Sequence, residues 1–118
     1  MRQALQSLDS SLRESLVERF GRFMAQLHER GVYFRSLHLG NVLLMDDGEF
    51  ALIDVADLRI YPSSLRHALR QRNLRHMQRY PQDRSWLFET HFEQLLKGYA
   101  SVASPTATAK IREQVQSL

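Results

Sequence analysis

The feature that most narrows the fold of this chain is a single pair of short apolar runs set among helical patterning. Asn41-Val42-Leu43-Leu44-Met45 and Phe50-Ala51-Leu52-Ile53-Asp54 flank the turn signal Asp46-Asp47-Gly48-Glu49. Runs of this length around such a turn read as a β-hairpin over 41–54. Two strands do not make a stable sheet by themselves, so the hairpin must lie on helices. The sequence therefore predicts a mostly α, α+β domain. At 118 residues the chain suits one domain with one modest core.

The helical patterning is clearest before the hairpin. Leu12, Leu16, Phe20, Phe23 and Leu27 recur at spacings of three and four, one face of an amphipathic helix. Ser11 and Glu14 read as a capping box at its start, and Gly31 stands where it should stop, so a helix is expected over 11–30. Residues 1–10 read as a lead-in, loose or briefly helical, and 32–41 as a structured loop. After the hairpin, Pro62 with Ser63 and Ser64 opens a helix over 62–80, closed by Pro81. Trp86, Leu87, Phe92, Leu95, Leu96 and Tyr99 outline another over 83–101, in which Gly98 is a mild weakness. Residues 102–118 form a tail, with a terminal helix expected over 107–117.

Charge is unevenly spread. Residues 1–58 carry 6 Lys/Arg and 9 Asp/Glu, a net −3, whereas 59–118 carry 10 and 4, a net +6. Between Arg59 and Arg84 the arginines face one acid, Asp83. Such a stretch could attract an anionic partner, or could be a solvated helix face whose arginine stems cover apolar surface. The absence of cysteine excludes disulfides and thiolate metal sites. No run is apolar enough to span a bilayer, and residues 1–6 do not read as a secretory signal, so a cytoplasmic location is expected.

The chemistry-bearing residues gather around the hairpin. Phe34-Arg35-Ser36-Leu37-His38-Leu39-Gly40-Asn41 precedes it, and Leu52-Ile53-Asp54-Val55-Ala56 closes it. This order resembles the kinase catalytic loop, H-R-D-x-x-x-x-N, followed by a hairpin and D-F-G. Phe34-Arg35-Ser36 falls on H-R-D, Asn41 on the Asn and Asp54 on the D of D-F-G. The Leu37-His38-Leu39-Gly40-Asn41 wording is closer to small-molecule kinases. The whole run is most similar to the bacterial lipopolysaccharide core kinase family, including members labelled toluene tolerance proteins.

That resemblance implies a protein-kinase-like C-terminal lobe over 11–101, and ATP with Mg²⁺ as cofactors. Asn41 and Asp54 would be the metal and nucleotide ligands, because Mg²⁺ takes hard oxygen donors. His38, and with it Arg35, would brace the loop. The implied acceptor is an anionic lipopolysaccharide core sugar, reached peripherally at the inner membrane; the segment 59–84 would suit so anionic a surface. The departures are as informative. Ser36 stands at the catalytic Asp position, Phe34 replaces His, and Val55-Ala56 replaces Phe-Gly. Residues before 11 are too few to supply a Gly-rich phosphate loop or strand Lys. A degenerate kinase, or part of a longer one, is therefore expected, with either ATP and Mg²⁺ or no cofactor in this chain.

The plainer readings stand beside these. Asp54 could simply end a strand, and His38 could be a hydrogen-bonded structural histidine. His28, His67, His76 and His91 show no metal-ligand spacing, and Asp46-Asp47-Gly48 lacks a calcium-loop pattern. Ser36 lacks the context of a hydrolase nucleophile. Asp57 is either a loop-starting acid or a substitute for the missing base. The rival functions are a non-enzymatic module that pairs with a protein partner or a second copy through the face an N-terminal lobe would cover, and a nucleic-acid binder using Arg66, Arg70, Arg72, Arg75 and Arg79. No aromatic stacking motif accompanies those arginines, which makes nucleic acid the weaker rival.

Overall fold

A computed structural model of the protein describes residues 1–116. The elements run α1 (Arg2–Ser7), α2 (Ser10–Glu29), β1 (Val32–Phe34), β2 (Val42–Leu44), β3 (Phe50–Leu52), β4 (Leu58–Ile60), α3 (His67–Met77), α4 (Pro81–Asp83), α5 (Phe92–Ala100) and α6 (Pro105–Gln116). A 3₁₀ turn at Leu39–Asn41 precedes β2, and a π-helical segment at Arg84–Thr90 joins α4 to α5. The domain is mostly helical α+β, with two antiparallel two-stranded sheets, β1 with β4 and β2 with β3.

The core is built on α2. Its N-cap is Asp9, whose carboxylate accepts from the Leu12 N–H at 3.0 Å, so the capping box expected at Ser11 and Glu14 does not form. The buried face begins at Leu16 and takes in Val17, Phe20, Met24 and Ala25, while Leu12 is 52% exposed. Opposite lies α5, with Leu95, Leu96 and Tyr99 buried. A Cβ on Gly98 would overlap the Glu18 carbonyl, and one on Gly21 the Leu95 carbonyl. Gly98, expected as a weakness of its helix, is what lets the two backbones touch. At the end of α2, Gly31 takes φ +76° and turns the chain into β1.

The sheets are short. Val42↔Leu52, Leu43↔Ala51 and Leu44↔Phe50 pair in the hairpin, whose turn is closed by Met45 N–H to the Glu49 carbonyl at 2.8 Å. Gly48 at φ +86° makes that turn possible. The other pairing, Val32↔Ile60 through Phe34↔Leu58, was hidden by its brevity. Three residues show no period, so the expected loop over 32–41 contains a strand and the region after the hairpin another.

Other expected boundaries shift for traceable reasons. The helix expected over 62–80 starts at His67, because the Tyr61 N–H bonds the Gly31 carbonyl and the Leu65 N–H bonds the His28 carbonyl, both at 2.8 Å. Those bonds tie 61–65 to the end of α2 in extended form. The helix expected over 83–101 is interrupted by the π segment, closed by the His91 N–H to the Trp86 carbonyl at 3.1 Å. Trp86 there lies under the Arg13 guanidinium, 4.6 Å from ring centroid to Cζ. The N-terminal segment is not loose: Leu5 is fully buried and the Met1 ammonium donates to the Val42 carbonyl at 3.2 Å. At the other end Ser104 caps α6 through the Ala107 N–H at 3.1 Å. Ser117, the last residue of the expected terminal helix, lies outside the described residues.

Candidate active site

The segment after β1 is held by three sets of bonds. First, the Phe34 carbonyl accepts from the Asn73 amide Nδ2 at 2.8 Å. That leaves Asn73 Oδ1 as acceptor for His28 Nε2–H at 3.0 Å, and His28 Nδ1 as acceptor for the Tyr99 hydroxyl at 2.7 Å. Tyr99 accepts from Arg70 Nη1 at 3.1 Å, and Arg70 pairs with Glu29 at 2.5 Å. The relay thus fixes the tautomer of a wholly buried histidine. Burial holds His28 far below its ordinary range, at about 4, and lifts Tyr99 to about 12.

Second, Asp83 is fully buried and bonds the Leu39 N–H and Arg2 Nε, each at 2.8 Å. Arg2 also donates to His38 Nδ1 at 3.2 Å, as does the Gly40 N–H at 3.0 Å. With Nδ1 accepting twice, the ring proton of neutral His38 sits on Nε2. His38 stacks on Tyr80 at 4.2 Å, and burial with the Arg2 charge lowers its pKa. His38 therefore caps the 3₁₀ turn and reaches neither Ser36 nor the Asn41 amide.

Third, Asn41 Nδ2 donates to the Ser36 carbonyl at 3.1 Å, and the Ile53 N–H donates to the Asn41 carbonyl at 3.0 Å. Ser36, Asn41 and the end of β3 are thereby joined. Asp54 follows directly, exposed, at φ 57°. Aspartate tolerates the left-handed region better than most residues but still pays a strain cost there. The Asn41 amide is oriented by its Nδ2 bond, and its Oδ1 accepts nothing from the described residues. An amide oxygen and a carboxylate are both hard donors of the kind Mg²⁺ takes, and Mg²⁺ keeps waters and phosphates as its other ligands. Among the described residues no three His, Cys, Asp or Glu side chains converge as a fuller metal cage would require.

Arg35 is exposed and turns away from this cluster, lining a cleft against α3. Ser36 Oγ donates to Asp57, whose other oxygen, Oδ1, is buried without a partner. Sequence reasoning had noted Asp57 only by its nearness to Asp54. As site residues it missed Arg2, Asp83, Asn73 and Tyr99, because their partners lie 29 to 81 residues away and no local pattern announces them.

A helical body that clamps a polar loop beside a hairpin defines the class: a mostly helical α+β domain with two small antiparallel sheets. The family model for lipopolysaccharide kinase (Kdo/WaaP) matches residues 1–99, and the chain belongs to that family. Comparison with curated proteins and with solved structures finds no match. Among the described residues no helix is long and apolar enough to cross a membrane.

Proposed function

We propose that this chain is a kinase-like C-terminal lobe in which Asn41 and Asp54 hold Mg²⁺ and the phosphates of ATP, and in which phosphoryl transfer is impaired at Ser36. The observation that carries the reading is the left-handed Asp54 at φ 57°, one residue beyond the Ile53–Asn41 bond. Strain held at an exposed carboxylate is a mark of a functional position. When bound, Mg²⁺ would neutralise phosphate charge. The chain's part is to orient the Asn41 amide through Ser36 and to fix the loop through Asp83 and Asn73. Ser36, a neutral hydroxyl at pH 7, cannot take a proton as a carboxylate does, and lacking a general base costs about 10²–10⁴ in rate. The acceptor implied by the family is an anionic lipopolysaccharide core sugar, met peripherally at the cytoplasmic face of the inner membrane.

Calorimetric titration with ATP, with and without Mg²⁺, tests the site. Metal-dependent binding that Asp54→Ala abolishes is expected; binding indifferent to both metal and variant overturns the assignment. Ser36→Asp should raise any measurable transfer rate toward the range above. A rate unchanged or lowered would mean that Ser36 is not the defect.

A second reading has its own observation. Leu43, Met45, Ile53 and Val55 are 42%, 47%, 36% and 44% exposed, along the hairpin and the chain leaving it. In a kinase fold this side faces the nucleotide-clamping lobe; a protein partner or a second copy could cover it instead. Sedimentation velocity separates the two, since Met45→Glu with Val55→Glu would turn an associating species into a monomer. A wild-type protein that is monomeric at all concentrations would remove this reading.

A further inference from the structure

We propose that the cleft between the β1–β4 ribbon and α3 binds a small ligand carrying two or more phosphate groups. The cleft has a volume of about 640 Å³. Arg35 and Arg59 reach it from the ribbon side, Arg66 from the N-cap of α3, and Arg72, Arg75 and Arg79 from α3 and just beyond it. No carboxylate of the described residues lines it. A smaller hollow of about 310 Å³ shares Tyr33, Arg35 and Arg59 with it and reaches Asp57, which places the cleft beside the Ser36 hydroxyl.

What these arginines lack makes the argument. Elsewhere the chain pairs several of its cations, Arg2 with Asp83, Arg70 with Glu29, Arg112 with Glu93 and Lys97 with Glu18, and other unpaired cations such as Arg22 and Arg30 do not share the cleft. None of the cleft arginine side chains makes a hydrogen bond or ion pair with the described residues. Arg72, Arg75 and Arg79 repel one another at helical spacings of three and four. Favourable placement at a helix C-terminus accounts for Arg75 but not for Arg35, Arg59 or Arg66. His76, also in the lining, keeps a buried Nε2 without a partner. An arrangement that is unfavourable when empty is explained by an anion that fills it.

The chemistry of that anion follows from geometry. Guanidinium forks match phosphate bidentately, and Arg rather than Lys supplies every cation here. Six arginines gather around the cleft, more positive charge than the one or two negative charges of a single phosphate would neutralise. Arg70, which sequence reading had grouped with these residues, is 4% exposed and committed to Glu29 and Tyr99, so a continuous helix face for nucleic acid does not exist. A concave, short site favours a compact polyanion. This inference is independent of the Asn41–Asp54 assignment.

The test is titration of the whole chain in metal-free buffer containing EDTA, read by amide NMR shifts or calorimetry, with orthophosphate and then tripolyphosphate as probes. Tripolyphosphate should bind at least about tenfold tighter than orthophosphate and weaken steeply between about 50 and 200 mM salt. The triple variant Arg72→Gln/Arg75→Gln/Arg79→Gln should lose at least about tenfold, and Arg59→Gln on the other wall should weaken it too. Asp54→Ala, and the control Arg22→Gln/Arg30→Gln, should leave it unchanged. Vesicles of phosphatidylcholine with and without phosphatidylinositol bisphosphate identify the source: binding to the bisphosphate lipid that the triple variant loses assigns a lipid headgroup, and its absence a soluble ligand. Equal affinity for the two soluble probes, equal loss in the control variant, or tighter binding of single-stranded RNA than of tripolyphosphate would overturn the proposal.

Discussion

The α2–α5 seam and the α3 cleft treat their side chains on opposite terms. In the seam the backbones meet at Gly21 and Gly98, apolar residues fill the rest, and the one polar insertion, His28 to Tyr99, is bonded at both ring nitrogens. In the cleft, charges of one sign face each other across open space without partners. The first arrangement fixes the loop that carries Ser36 and Asn41; the second gives up local stability and is free to meet something from outside. In this chain the well-packed half supports a site and the poorly satisfied half is a candidate to be one.

Changes in the seam should therefore be costly and changes in the cleft mild. Gly98→Ala forces a Cβ into the Glu18 carbonyl and should cost about 3 kcal/mol, lowering Tm by about 10 °C in a thermal melt. Acid should attack the same seam through His28. Its folded pKa of about 4 lies below its ordinary value of 6.5, so the unfolded chain takes up the proton first. The stability associated with His28 is intact above pH 6.5 and is lost as pH falls toward 4, a loss of about 3 kcal/mol. Urea midpoints measured across that window should fall in the wild type and fall less in His28→Gln. Tyr99→Phe strands an acceptor on His28 and a donor on Arg70 and should cost about 2 kcal/mol by chemical denaturation. In the cleft the sign reverses. Arg72→Gln, before the last turn of α3, relieves its like-charge contact with Arg75 and should raise stability by about 0.3 kcal/mol at low salt, an effect that vanishes at high salt. A cleft substitution as damaging as one in the seam would erase the contrast.

How much of this could be read from the residues follows the same division. Local signals carried well: the stripe through Leu16 and Phe20, the stop at Gly31, and the Asp46-Asp47-Gly48-Glu49 turn all report on neighbours in sequence. Long-range pairings did not. Val32–Phe34 looks like loop until Leu58–Ile60 lies beside it, and Gly98 looks like a flaw until Glu18 is placed against it. The order of residues around the hairpin proposes Ser36, Asn41 and Asp54 as site residues, and the bonds through Ser36, Asn41 and Ile53 join that region. Arg35 was grouped with them by sequence adjacency, but strand geometry sends it to the cleft instead. Asp57, Asp83 and Asn73 act on the loop through folding alone.

The backbone of Asp54 sets stability against use. A designer asked only for a sturdier chain would write glycine there, since glycine adopts φ 57° freely. The edit would look like an improvement by every measure of local comfort, and it would delete the carboxylate on which the kinase reading depends. Discomfort of this kind, kept in an otherwise relaxed hairpin, is a reason to leave a residue alone when engineering the protein.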